Sequence, residues 1–217
     1  MLARTVAYQR LRKILLSGEM TQDEPLSERR LSEQLEMGRM PVREALKELA
    51  KDGLLQVLRG RGTFIRQLSL DEVRERYEMR QALEGMAARL ASVRGVTPEL
   101  RETHEKLQRF HAFKGADIQE IQKVGWKFHQ EVVHASRNLE LVRSHKTLDA
   151  QIMLALRFAA QHQSIRIHRR ACGEHIQIFE AIQQGNADMA EQLMREHLAH
   201  SLAARAEILT SIKRKKI

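Results

Sequence analysis

The stretch SERRLSEQLEMGRMPVREALKELAKDGLLQVLRGRGTFI, Ser27 to Ile65, decides the fold. Ser27 predicts a helix N-cap with Arg30 at its third position, and Leu31 and Leu35 one turn apart point that helix inward. A second helix runs from about Arg39 to Asp52 and stops at Gly53. On it Val42, Ala45, Leu46 and Leu49 recur at three- and four-residue spacings and face a core. Arg39, Arg43 and Lys47 recur every four residues on the other side. Past Gly53, two β-prone runs, Leu54–Leu58 and Thr63–Ile65, flank the turn Arg59-Gly60-Arg61-Gly62 and predict a hairpin. Upstream, about Leu2–Leu16 forms one more helix, ending at Ser17-Gly18. Three helices followed by a hairpin outline a winged helix-turn-helix over residues 1–66.

A short helix with three cations along its exposed face suits the major groove, where Arg bonds guanine through two hydrogen bonds and Lys meets phosphate. Arg59 and Arg61 on a flexible turn suit the adjacent minor groove or its phosphates. Taken singly, each feature also describes a solvated cationic face. Their joint order and spacing favour DNA.

Charge follows the same division. Of the formal net charge of +9, residues 1–66 hold 13 Lys and Arg against 9 Asp and Glu. Residues 67–212 are nearly balanced, and the tail Lys213-Arg214-Lys215-Lys216 is wholly basic. Positive charge concentrated at the ends attracts polyanions by counterion release, although a short terminal Lys run is more often simply solvated. A single cysteine, Cys172, excludes an intramolecular disulfide framework and a multi-cysteine metal cluster. No apolar run approaches the ~20 residues of a membrane span, and no signal-peptide pattern opens the chain, so a soluble cytoplasmic protein is expected.

From Ser69 onward the apolar period is helical throughout. Helices are predicted at Leu70–Arg94, Pro98–Phe113, Asp117–Ser136, Leu139–Gln163, Ile165–Gln184 and Ala187–Ser211, the last capped by Asn186 after Gly185. The expected architecture is mainly α: the winged module at 1–66, then a six-helix bundle at 70–217. Met79, Leu83, Met86 and Leu90 form a stripe that could pack within the bundle or against a partner subunit, with internal packing favoured for most of it.

The winged module resembles the GntR family of bacterial transcription regulators, on the strength of PVREALKEL and the glycine-containing wing behind it. The resemblance implies that Arg29, Arg39 and Arg43 contact an operator, with Arg59 and Gly60 in the wing. Lys47 and Arg61 join these DNA-facing candidates from the periodicity above. Where the family usually has Ser or Thr capping the recognition helix this chain has Gly38, and where it commonly has glycine in the turn the chain has Glu36.

Among ten histidines, periodicity singles out His129, His175 and His197, each on or beside the apolar stripe of a different helix. His134 reads as surface, and His104, His111, His145, His162, His168 and His200 show no comparable inward setting. A lone inward histidine is usually a hydrogen-bonded core residue, but three converging imidazoles suit a divalent ion such as Zn or Ni. The segments FHQEVVHASRN and EHIQIFEAIQQGNADMAEQLMREHL, with the R-x-x-L-E-x-x-A-A pattern within YEMRQALEGMAARLA, resemble the FCD effector domain of the FadR subgroup, in its shorter VanR-like branch. That resemblance implies a metal on the three histidines and on an aspartate four residues before the first. Here that position is Gly125, which contributes no carboxylate. Glu174, beside His175, is expected to point away.

The expected function is that of a ligand-responsive transcription regulator and not an enzyme: a repressor binding a palindromic operator as a homodimer. The resemblance further implies an effector that is a small carboxylate, an organic or sugar acid, which Arg157 could meet. Two rival readings are a metalloenzyme with a tethering DNA module and a nucleoid protein that uses only the basic ends.

Overall fold

Ser27 opens its helix as its sequence position predicts. In the computed structural model, which describes residues 2–17, 20–21, 24–112, 117–160 and 165–215, its hydroxyl accepts a hydrogen bond from the backbone N–H of Arg30 at 3.3 Å. The side chains of 156–160 and 208–215 lie outside that description. The order is α1 (Leu2–Ser17), α2 (Glu28–Leu35), α3 (Arg39–Lys51), β1 (Leu55–Leu58) and β2 (Gly62–Ile65). Glu36 ends α2 at φ 52°, the left-handed region where the family's glycine costs least and a side chain costs about 1 kcal/mol. Gly38 caps α3 with extended backbone and no side-chain hydrogen bond.

The strands pair antiparallel, Leu55 opposite Ile65 and Leu58 opposite Gly62. At the tip the N–H of Arg61 donates to the Leu58 carbonyl at 3.0 Å, and Gly60 supplies the positive φ of 74° that this turn needs. The N–H of Leu26 donates to the Thr63 carbonyl at 2.7 Å, so the segment before α2 is tied to the wing. Ala7, Leu11 and Leu15 of α1, Leu31 and Leu35 of α2, the four predicted apolar positions of α3, and Leu54, Leu55 and Ile65 form one buried cluster.

That cluster also contains Ala150 and Leu154, and the amide of Gln151 donates to the Asp52 carbonyl at 2.7 Å. The first compact unit is therefore Met1–Ser69 together with Asp149–Phe158, a stretch that a contiguous reading of the sequence leaves in the bundle.

The second unit, Leu70–Leu148 with Ala159–Ile217, is all helical among its described residues. Its helices are α4 (Leu70–Arg94), α5 (Pro98–Ala112), α6 (Ile118–Ala135), the first part of α7 (Leu139–Ala160), α8 (Ile165–Gln183) and α9 (Ala187–Lys215). Asp117 caps α6 by accepting from Gln119, and Asn138 caps α7 by accepting from Glu140 and Leu141. Asn186 accepts from Met189 at the start of α9, as predicted. Gly185, at φ 73°, lets the N–H groups of Gly185 and Asn186 reach back to the Ile182 and Ala181 carbonyls and close α8. The small residues Gly85, Ala87, Ala88 and Ala91 are buried on α4, and a Cβ added at Gly85 would stand 3.0 Å from Arg195 Nε of α9.

One packing expectation fails. Met79 and Met86 are 53% and 41% exposed, and Leu83 and Leu90 only half-buried. The face that α4 turns inward carries Val73, Tyr77, Arg80 and Glu84 instead, a polar set that hydrophobicity alone does not rank as core.

Candidate DNA interface and metal centre

In the winged unit, Val42, Ala45, Leu46 and Leu49 are all buried, which turns Arg39, Arg43 and Lys47 outward together. Arg29, Arg59, Gly60 and Arg61 are exposed as well. Among the described residues, Arg39, Arg59 and Arg61 have no ion pair. Arg43 is engaged: its Nε and one terminal nitrogen each lie 3.0 Å from Glu28 Oε2. Lys47 pairs with Glu44 at 2.9 Å, and Arg29 sits 3.9 Å from Glu33. All three pairs are substantially exposed, so each is worth at most about 1 kcal/mol and can be exchanged for phosphate or base contacts.

In the bundle, His129 of α6, His175 of α8 and His197 of α9 converge as predicted, each no more than 5% exposed. Their Nε2 atoms form a nearly equilateral triangle, with edges of 3.2 Å (His129–His175), 3.1 Å (His175–His197) and 3.2 Å (His129–His197). Burial pushes His129 down to about 3 despite the opposing pull of Glu84. Burial likewise lowers His175, helped by its two imidazole neighbours, and lowers His197 against the pull of Glu174. All three rings are neutral near pH 7.

Sequence reasoning missed the residues that orient these rings. Glu84 of α4 is fully buried, with Oε2 2.7 Å from His129 Nδ1 and Oε1 3.0 Å from His145 Nε2. Arg80 holds it from one turn earlier, Nε to Oε1 at 2.5 Å and a terminal nitrogen to Oε2 at 3.2 Å. Arg80 is itself buried between the rings of Tyr77 and Trp126, 5.1 and 5.2 Å from their centres. Burial would raise the Glu84 carboxyl, but Arg80 and then His129 outweigh it and hold it well below the usual carboxylate range. Glu174 does not point away. Its Oε2 is 2.7 Å from His197 Nδ1, and its Oε1 is 2.9 Å from both His200 Nδ1 and Arg170 Nε. An (i, i+4) pair on α4 is the one local signal that could have flagged Arg80 and Glu84.

Three further histidines depart from expectation. His145 is buried against Glu84, His104 stacks on Phe179 with ring centres 3.8 Å apart, and His168 is buried with Nε2 3.1 Å from the Gln122 amide nitrogen. His134, His111 and His200 are exposed, in line with the sequence. His162 and the side chain of Arg157 lie outside the described residues.

Comparison with known proteins follows this division. The pattern of bacterial regulatory proteins of the gntR family matches residues 3–65, and the FCD domain pattern matches residues 75–200. A Paenarthrobacter nicotinovorans protein described as a probable D-xylose utilization operon transcriptional repressor is 30% identical over 211 residues, covering 94% of this chain and 91% of its own. The chain belongs to the GntR family, in its FCD-containing group.

The transcriptional repressor RspR of Escherichia coli K12 is 27% identical over 88% of this chain and 83% of its own. In fold, this GntR regulator matches E. coli McbR/YncC with a TM-score of 0.78 at 23% identity, covering 94% of this chain and 97% of that one. A GntR regulator from Rhodococcus sp. RHA1 gives 0.75 at 21%, covering 97% and 99%. The family and these relatives are DNA-binding transcription regulators, not enzymes. No described helix is long and apolar enough to cross a membrane.

The histidine triangle can be tested for metal. His129 and His197 each have Nδ1 2.7 Å from a carboxylate oxygen, and a proton held on that side leaves the Nε2 lone pair of each of these two rings facing the triangle. His175 Nε2, 3.1–3.2 Å from the other two, either donates to one of them or turns its own lone pair with theirs to a cation at the centre. Zinc bound ~2.0–2.1 Å from each of three tetrahedrally disposed nitrogens sets them ~3.3 Å apart, and the triangle is within ~0.2 Å of that. The donor set fits. Neutral imidazoles backed by carboxylates suit Zn or Ni, which would supply a Lewis-acidic point for an anionic ligand.

Proposed function

We propose that this regulator is a ligand-responsive repressor that binds a palindromic operator as a homodimer and senses a small carboxylate in its FCD domain. The observation that carries the DNA half is the outward row Arg39, Arg43 and Lys47 over the buried row Val42, Ala45, Leu46 and Leu49. Arg39 and Arg43 read bases, Lys47 and Arg29 grip phosphate, and Arg59, Gly60 and Arg61 bring the wing to the neighbouring groove. Two relatives described as repressors, one of them, as probable, of a D-xylose utilization operon, support the sign.

The homodimer has support on α4. Met79, Ala82, Met86 and Val93 are exposed at three-, four- and seven-residue steps, with Leu90 half-buried among them, a stripe on which a second copy can pack.

In the sensing half, His129, His175 and His197 hold a divalent metal, Zn or Ni, with Glu84 and Glu174 fixing two of the rings. Three neutral ligands leave the ion's charge unbalanced, which draws an organic or sugar acid. Occupancy there favours one arrangement of the bundle and so changes operator affinity by linkage.

Footprinting of the full chain tests the DNA half. One short two-fold-symmetric protected site that survives random competitor DNA is expected, and even protection of any duplex would support the nucleoid reading instead. Elemental analysis of the purified protein tests the metal.

A further inference from the structure

Arg39, Arg43 and Lys47 account for the charge on the outward face of α3 but not for all of its surface. Five residues of α3 are exposed: four are the cations Arg39, Arg43, Lys47 and Lys51, and the fifth is Met40, 62% exposed. Met40 lies three residues before Arg43 and seven before Lys47, so it stands on their row, one turn nearer the start of the helix. It belongs neither to the buried cluster of the winged unit nor to the apolar residues packed on that cluster. Met37, just before α3, is the contrast, because its side chain does pack on the core.

A single exposed apolar side chain is ordinary on a protein surface. This one is set among cations at the N-terminal end of α3, and in a helix-turn-helix the N-terminal residues of the recognition helix are those that reach base edges. Met40 is thus the apolar surface that the row brings to the duplex. In the major groove the base pairs differ mainly by polar donors and acceptors, and the apolar group presented there is the thymine C5-methyl. Methionine suits it. The arm is unbranched, polarizable and adaptable, and its sulfur is too weak an acceptor to compete for the guanidinium groups of Arg39 and Arg43.

We propose that Met40 is a specificity residue of the operator complex, packing its thioether arm on the C5-methyl of one thymine in each half-site. The preferred operator then carries a thymine beside the bases that Arg39 and Arg43 read. This rests on the operator reading above and adds to it a base that shape and methyl contact select, without a hydrogen bond.

The test begins with selection by the full chain from a pool of random duplexes, which supplies the operator. Each of its thymines is then replaced in turn by deoxyuridine, which removes the methyl and leaves every hydrogen-bonding edge unchanged. One thymine per half-site should stand out. Its replacement should weaken binding ~4-fold, and ~15-fold when made in both half-sites, the loss expected for one methyl-sized apolar contact in each. Met40→Ala should bind the thymine and deoxyuridine duplexes alike, whereas Met40→Leu should keep most of the difference. The ratio of the two affinities is read within each protein, so a change in folding or in overall DNA affinity cancels. No preference for any duplex over random competitor overturns the operator reading and this inference with it. A selected operator in which no thymine is sensitive to losing its methyl, or a Met40→Ala chain that keeps the full penalty, overturns the role of Met40 alone.

Discussion

Arg43 leaves α3 on the face opposite Val42, Ala45, Leu46 and Leu49, and it pairs with Glu28 through side chains that are 49% and 39% exposed. Arg43→Ala should therefore cost at most about 1 kcal/mol of folding stability once solvent screening is counted. The loss on DNA is of another size. A guanidinium bonded to guanine through two hydrogen bonds discriminates by ~1–3 kcal/mol per half-site, and a two-fold complex loses it twice. The dimer should thus bind its operator at least ~30-fold more weakly. Leu46→Ala is the contrast: Leu46 is 5% exposed, and truncation there should cost ~2–5 kcal/mol of stability, with DNA binding lost through unfolding. Urea unfolding and fluorescence anisotropy on operator and scrambled duplexes separate the two. If Arg43→Ala binds the operator as tightly as the unaltered chain, the base-reading role is wrong. If it weakens operator and scrambled DNA equally, with the salt slope falling by about one per half-site, Arg43 grips phosphate instead.

Removing the carboxylate behind His197 by Glu174→Ala should lower zinc affinity ~10–100-fold with the three ring ligands untouched, and chelator competition that finds less than a twofold change would refute the positioning role. In metal-free protein, His129 stays neutral down to about 3 whereas an unfolded histidine takes up its proton near 6.5, so the unfolded state binds more protons between those values and stability falls as pH falls. From pH 6.5 to 5 this one ring removes about 2 kcal/mol, and His175 and His197 act in the same direction; flat urea midpoints over that interval would contradict the burial assigned here. Glu36→Gly relieves the left-handed residue between α2 and α3 and should raise stability by about 0.5–1 kcal/mol, read as a higher thermal midpoint, with no change or a drop counting against the strain.

Much of this regulator is legible in its sequence because helical periodicity is local. The repeat of Val42, Ala45, Leu46 and Leu49 assigns α3 an inner face, and Arg39, Arg43 and Lys47 then have only the outer one. The same rule turned His129, His175 and His197 inward from three separate helices, and Ser27 and Asn186 announced their caps. Tertiary structure alone decided what those faces meet. Glu84 stands 45 positions before His129, and no local pattern says that a carboxylate on α4 will back an imidazole on α6. The buried places of Arg80, Glu84 and His145 ran against hydrophobic ranking, because a charge enters a core only when its partners arrive with it from other helices. For the same reason Met79 and Met86 faced outward, and Asp149–Phe158 joined the winged unit. Periodicity sets which side of a helix is inside; the packing of helices distant in sequence sets which groups touch, and with them the chemistry of the site.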